Sequence, residues 1–345
     1  MTRANKNLRG TEKNFENMTV HNSYLYGLTL EEFTSGICEL SKIFISIYTG
    51  MINEPHSYAM KNDDDGKGLE KNMNFLFTLS QVGGLNNDSI EANGMALATA
   101  LKEAKVTKPE TYFQILEQLG FIITGLGKKI EASEKITIEY PDNHYIFTAL
   151  KSMTDAISMF TKNKPHKQCN VYFELLDHRV LINYPATEPA ITMEYIMPRL
   201  TKESRDVVQT LCGIVEPLAK CNIKGGFGHY WTPTFTLKST KRVIMSIKLT
   251  LDNHDVKLNL ANLGKYTEML DDFPAKIINE ITGGGWGCGG SGCNPSCAGA
   301  FKFDLYGKSY AKCRGGSFVF HAPDKSETEL LIRLLKKEID TPLLP

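Results

Sequence analysis

Cys288, Cys293, Cys297 and Cys313 have the residue type and spacing of a metal site. They follow the pattern C-x4-C-x3-C-x15-C. The first three lie in the run Gly283-Gly284-Gly285-Trp286-Gly287-Cys288-Gly289-Gly290-Ser291-Gly292-Cys293-Asn294-Pro295-Ser296-Cys297. Glycine accepts positive φ, so such a run can turn tightly around a small centre. Three close thiolates, with a fourth returning on a hairpin, can surround one ion. Four thiolates on Zn²⁺ form a closed tetrahedral site, which is structural rather than catalytic. The spacing departs from the C-x2-C pairs of zinc ribbons. It lies near the C-x4-C-x2-C…C order of plant-type 2Fe–2S ferredoxins, but the x3 step breaks that match. Zinc is the expected ion and an iron–sulfur cluster the alternative. The plainer reading is a glycine loop with incidental thiols.

Other chemistry is harder to support. No C-x-x-C pair is present for redox work. The seven glycines of 283–292 follow a helical pattern rather than open one, and no Gly-Lys-Ser/Thr accompanies them, so a phosphate cradle is a poor fit. Asp63-Asp64-Asp65-Gly66 suggests calcium, but with Gly66 as the sixth loop position the first and twelfth would be Lys61 and Asn72. Neither supplies the carboxylate required. Cys221, His229 and Trp231 flank the glycine loop Gly225-Gly226-Phe227-Gly228 and could line a pocket; a simple turn is the competing reading. Glu174, Asp177 and His178 could form an acid–base set, against the plainer reading of solvated turn residues. Cys38, Cys169 and Cys212 read as small core or surface residues. G-x-S-x-G and H-E-x-x-H are absent, and no G-x-G-x-x-G stands in the βαβ setting that a dinucleotide fingerprint requires.

Elements of ordinary globular composition must position these residues. The chain has 345 residues, 42% hydrophobic and 23% charged, which suggests about two domains. Its 39 basic and 39 acidic residues cancel, giving no global attraction to nucleic acid or anionic membrane. The first twenty residues hold no apolar leader, and the most apolar stretch, Ile37 to Ile52, is interrupted by Glu39 and Lys42. The expectation is a soluble cytoplasmic protein with reduced thiols and no membrane span.

Residues 1–28 are polar and read as a flexible arm. Thr29-Leu30-Glu31-Glu32 is a capping box, followed by Phe33, Ile37, Leu40, Phe44, Ile47 and Met51 at helical spacing. Helices are expected over Leu69 to Val82, around Ile90, Leu97 and Leu101, and after a capping box at Thr107–Glu110, with Gly120 at the stop. A hairpin with a Gly125–Gly127 turn follows, then a helix capped by Asn143. This order over 29–161 is winged-helix-like, and such folds often read DNA through the third helix and the wing. Charge opposes that use: residues 70–140 hold seven Lys and nine Asp or Glu, and helix 108–119 carries Glu110 and Glu117. Nucleic-acid contact through 105–130 is therefore the weaker reading.

A polar linker at 162–167 leads to an α+β domain over 168–345. It is expected to hold strands over Val171–Leu176 and Arg179–Tyr184, a helix capped by Thr201, and strands over Val243–Leu251 and Val256–Leu260. A helix over Met269–Ile281 precedes the cysteine loop 283–313. A hairpin across Gly307-Lys308, a strand at Ser317–Phe320 and a last helix capped at Ser326–Glu329 complete it.

The run Cys288 to Cys297, then Phe303-Asp304-Leu305-Tyr306-Gly307-Lys308-Ser309-Tyr310, Cys313 and Phe318-Val319-Phe320, resembles the C-terminal part of uncharacterised clostridial-type bacterial proteins. Gly120-Phe121 through Tyr140-Pro141-Asp142-Asn143 is similar to a winged-helix stretch of the same proteins. The resemblance covers about a third of the chain and implies a shared cysteine site but no activity. The reading is an α+β binding or regulatory protein with a small-molecule or protein partner and a structural zinc site. The alternatives are an enzyme using the cysteines or a pocket near His229, and a DNA-binding transcriptional regulator.

Overall fold

The structure, a computed structural model, describes residues 18–58, 67–86, 88–161, 171–182, 191–225, 230–284, 300–313 and 316–342, together with Asn5 and Leu8. Contacts divide the chain into two units, Met1–Ala190 and Ile191–Pro345. Helices and antiparallel sheets both occur, so the fold class is α+β. Among the described residues, no helix is long and apolar enough to cross a membrane.

The first unit opens with α1 (Leu30–Asn53). Its capping box forms: Thr29 Oγ1 accepts from the Glu32 N–H at 3.2 Å, and the Glu32 carboxylate accepts from the Thr29 N–H at 2.8 Å. The predicted stripe from Phe33 to Met51 is buried. The helix packs on α5 (Ile146–Thr161). Gly36 allows the close approach, because a Cβ there would collide with the Tyr145 carbonyl. Between them lie α2 (Lys67–Val82), β1 (Gly84–Asn86), β2 (Ser89–Ala92), α3 (Gly94–Glu103), α4 (Pro109–Gln118), β3 (Ile122–Thr124) and β4 (Ile136–Glu139). The strands form one antiparallel sheet of order β1-β2-β4-β3.

Several local expectations change here. Ile90 belongs to β2, opposite Ile138, and α3 starts later because Asn93 Oδ1 caps the Ala96 N–H at 3.0 Å. The Thr107 capping box does not form. Lys108 is left-handed at φ 56, and Pro109 supplies the first helical turn. Residues 171–182 form α6 (Val171–Glu174) and a 3-10 turn over His178–Leu181 instead of strands. Their aromatic and β-branched content suggests strands, but Tyr172, Phe173, Leu176, Val180 and Leu181 are all buried, and a compact turn buries them where an alternating strand would expose half. Phe173 meets Phe44 and Phe77 edge-on, and the Tyr48 hydroxyl donates to the Glu174 carbonyl. These contacts place 171–182 in the first unit, so the division falls after Ala190 rather than at 162–167. Part of the expected arm also docks: Met18 and Tyr24 are buried, and the His21 N–H donates to the Leu181 carbonyl at 2.8 Å.

The second unit contains α7 (Met193–Ile196), α8 (Lys202–Val215), β5 (Ala219–Gly225), β6 (Tyr230–Leu237), β7 (Val243–Thr250), β8 (His254–Leu258) and α9 (Ala275–Gly283). The hairpin β9 (Ala300–Leu305) and β10 (Lys308–Cys313), then β11 (Phe318–His321) and α10 (Lys325–Asp340), complete it. The main antiparallel sheet has the order β11-β8-β7-β6-β5. Strand alternation sends Trp231, Phe235, Ile247, Leu249, Val256 and Leu258 into the core. Helices α8 and α10 pack side by side, burying Val208, Leu211, Leu331 and Leu335. The helix expected from Met269 breaks at Pro274, which lacks an N–H and restrains Phe273; only Ala275–Gly283 is α-helical. The last helix starts two residues earlier than expected, because Asp324 and Glu327 form the capping box and the Ser326 hydroxyl donates to Asp324.

Glu338 of α10 is fully buried. Its carboxylate takes hydrogen bonds from Arg242 Nη1 at 2.5 Å, the Asn262 N–H at 3.0 Å and the Tyr266 hydroxyl at 2.5 Å. Burial, reinforced by the Glu338 charge, pushes the Tyr266 hydroxyl far above its ordinary range. Both tryptophans of the chain, Trp231 and Trp286, belong to the second unit, so fluorescence follows that unit alone.

Replacing Glu338 by Gln leaves Arg242 without its carboxylate. The second unit should lose about 3 kcal/mol in urea unfolding followed by tryptophan fluorescence. At the other end of the chain, Thr29→Ala should cost about 1 kcal/mol at neutral pH. The Glu32 carboxyl is held below its usual range first by the Thr29 N–H, which the variant keeps, and next by the Thr29 hydroxyl, which donates to it at 2.8 Å and which the variant loses. A depressed folded pKa adds stability above the unfolded value, and that stability is lost as pH falls through the folded value. The gap between wild type and Thr29→Ala, measured by far-UV circular dichroism in urea, should therefore narrow below about pH 4.

Candidate functional site

Of the four predicted metal ligands, Cys313 lies within the described residues, half-buried at the end of β10. Cys288, Cys293 and Cys297 fall outside them. The surrounding frame is nonetheless visible. The expected hairpin forms, but its turn is Tyr306-Gly307, because Lys308 already pairs with Leu305; its register sets Cys313 opposite Ala300. The buried Lys312 side chain donates to the Thr282 carbonyl at 2.8 Å and to the Gly284 carbonyl. Burial pushes the Lys312 ammonium below its ordinary pKa. Thus the chain enters the cysteine run at Gly284, beside Lys312, and leaves it at Ala300, beside Cys313. Among the described residues, no group of three or more His, Cys, Asp or Glu side chains could hold a metal ion.

The other predicted candidates separate. His229 lies outside the described residues. Trp231 points into the core, with its ring edge-on to Tyr195. Cys221 is exposed on the edge strand β5, and burial of its sulfur raises its pKa. Cys212 is buried in α8, its thiol pushed up to about 12 by burial, so it is no nucleophile at neutral pH. Cys38 is half-buried in α1, and Cys169 is outside the described residues. Glu174 and Asp177 are buried rather than solvated, and Asp177 takes a two-pronged contact from Arg179 at 2.8 and 2.6 Å. That arrangement holds a turn and leaves no free acid–base set.

A cleft that sequence reading did not identify lies in the second unit. Its cavity, of about 750 Å³, opens between the first turn of α8, the β7–β8 turn and the first turn of α10. Ser204 and His254 lie at its buried floor, 1% and 6% exposed. Ser204 Oγ is 2.9 Å from His254 Nδ1, and His254 Nε2 is 3.0 Å from the Pro323 carbonyl. A carbonyl only accepts, so Nε2 carries the hydrogen. In the neutral ring Nδ1 then accepts, and the Ser204 hydroxyl donates to it. Thr201 caps the helix as expected, its Oγ1 accepting from the Ser204 N–H at 3.2 Å, and this turns Ser204 toward the sheet. Alternation along β8 points His254 inward with Val256 and Leu258. The sequence did hold both clues, a helix cap and a strand phase. No motif links two residues 50 positions apart.

Comparison of the chain with protein-family models, curated proteins and solved structures finds no match.

Removing the Ser204 hydroxyl leaves His254 Nδ1 buried without a partner. Ser204→Ala should cost about 1–3 kcal/mol in the same fluorescence-detected urea unfolding.

Proposed function

We propose that this chain is a cytoplasmic binding or regulatory protein whose second unit is held by a structural zinc site at Cys288, Cys293, Cys297 and Cys313. The observation that carries this reading is the closing of both ends of the cysteine run beside Cys313. Gly284 is bonded to Lys312, and Ala300 pairs with Cys313. Cys297 is three residues from Ala300 and Cys288 four from Gly284. An extended chain covers at most about 3.5 Å per residue, so spacers this short allow both thiols to approach Cys313. Tetrahedral zinc needs sulfurs at about 2.3 Å, a geometry that a glycine-rich run can adopt. An iron–sulfur cluster would use the same ligands and is distinguished by its colour and iron content.

In the first unit, the order helix, two strands, two helices, strand, loop and strand, with β2-β4-β3 adjacent and β1 added at the edge beside β2, supports a winged-helix-like module. The exposed positions of α4 are Glu110, Gln114, Glu117 and Gln118, and on the wing Lys128, Lys129 and Lys135 stand with Glu131 and Glu134. Such a surface suits a protein partner better than a phosphate backbone.

Elemental analysis of the purified, untagged protein should find about one zinc per chain. Cys293→Ser with Cys297→Ser should lose it, and a chelator should unfold the second unit of the wild type. Lys312→Met should weaken zinc retention against a chelator by releasing the Gly284 end. Wild-type protein that folds fully without any metal would overturn the reading.

A further inference from the structure

The main sheet of the second unit has one face closed by the core and one face open. Alternation along β6 buries Trp231, Pro233, Phe235 and Leu237 and leaves Tyr230, Thr232, Thr234 and Thr236 on the open face. The β5 register sets Lys224, Asn222 and Lys220 beside Thr232, Thr234 and Thr236. On the other side, Ser246 of β7 stands opposite Thr234, and Lys257 of β8 opposite Ser246. Lys248 follows two residues after Ser246 and shares its face. The threonines therefore make a low floor along β6. Lys220 and Lys224 wall it on one side, and Lys248, backed by Lys257, walls it on the other. Neighbouring strands lie about 4.8 Å apart, so the channel from β5 to β7 is about 10 Å wide.

The channel holds unused donors. Among the described residues, the hydroxyls of Thr232, Thr234, Thr236 and Ser246 have no hydrogen-bond partner, and the four lysines have no ion-pair partner. The carboxylate that the strands present on this face, that of Asp255, is met by His321 Nδ1 at 3.1 Å. Tyr230 stands at one end of the floor and is 51% exposed. We propose that this channel binds a single strand of nucleic acid. Its phosphates take hydrogen bonds from the lysine walls and the threonine floor, and a base stacks on Tyr230. Other anionic partners fit less well. A membrane surface would meet the lysine tips and leave the recessed hydroxyls unused. A second copy of the chain would set lysine against lysine, and a duplex is broader than the channel. The inference supplies a partner for the binding role proposed above, and it uses neither the cysteines nor the wing of the first unit.

Fluorescence anisotropy of labelled oligo(dT) and oligo(U), each about 12 nucleotides long, titrated with the full chain tests it. Saturable binding of at least one is expected, and the tighter of the two identifies DNA or RNA. Four neutralised phosphates give a slope of log affinity against log salt of about −3. Lys224→Gln combined with Lys248→Gln should bring that slope to about −1.5 and weaken binding by about tenfold or more at about 50 mM salt. Tyr230→Ala should weaken it by about fivefold or more. The lysine variant should unfold at the wild-type urea midpoint. Lys128→Gln with Lys129→Gln, on the wing of the first unit, should bind as the wild type does. The Cys293→Ser, Cys297→Ser chain, where it remains folded, should also bind as the wild type does, which separates this result from the fate of the zinc reading. No saturable binding at about 50 mM salt with protein up to about 1 mM would overturn the proposal. So would binding unchanged in the lysine variant, binding lost in the wing variant, or binding to phosphatidylserine vesicles but to neither oligonucleotide.

Discussion

A carboxylate removed from water must have its lone pairs filled by the protein, and Glu338 meets that requirement from several directions. Arg242 comes from the turn before β7, and Asn262 and Tyr266 from the segment after β8. Each contact fixes a different part of the second unit against α10. Partial filling would be costly, because the desolvation of a buried charge is repaid only when its hydrogen bonds are complete. The position of α10 therefore follows from a polar condition as much as from its leucine stripe.

That position creates the cleft. With its C-terminal end tied to Glu338's partners, α10 begins at Asp324, beside the β7–β8 turn. The Pro323 carbonyl then meets His254, and His254 meets Ser204 on α8. One imidazole thus joins a strand and two helix starts. Lys276 on α9 also bonds Glu327 at 2.6 Å, so the helix leading into the cysteine run is fastened to the same helix start. The cleft and the frame around Cys313 are consequences of one packing arrangement.

The first unit is organised differently. Its core depends on aromatic and aliphatic burial, with Phe44, Phe77 and Phe173 packed edge-on, and α1 pressed against α5 through Gly36. Polar bonds there mostly set ends and turns: the Thr29–Glu32 box, the Asn93 cap and the Asp177–Arg179 pair. Such local devices define where elements begin, while the apolar faces define what they touch.

The sequence alone determined the α+β class, the long capped helix from Leu30, the alternation of β7 and β8, and the hairpin that sets Cys313 opposite Ala300. These rest on short-range periodicities and caps, which neighbouring residues impose whatever the rest of the chain does. It also marked the four cysteines by type and spacing. Tertiary structure decided what depends on distant partners. Residues 171–182 turn helical because a compact turn buries Tyr172, Phe173, Leu176, Val180 and Leu181 together. Lys108 is left-handed where a capping box was expected. Thr201 was visible as a helix cap, yet the bond from Ser204 to His254 arises only when α8, β8 and α10 are brought together. No periodicity encodes a contact across 50 residues, because only the packed core brings such residues within hydrogen-bonding distance.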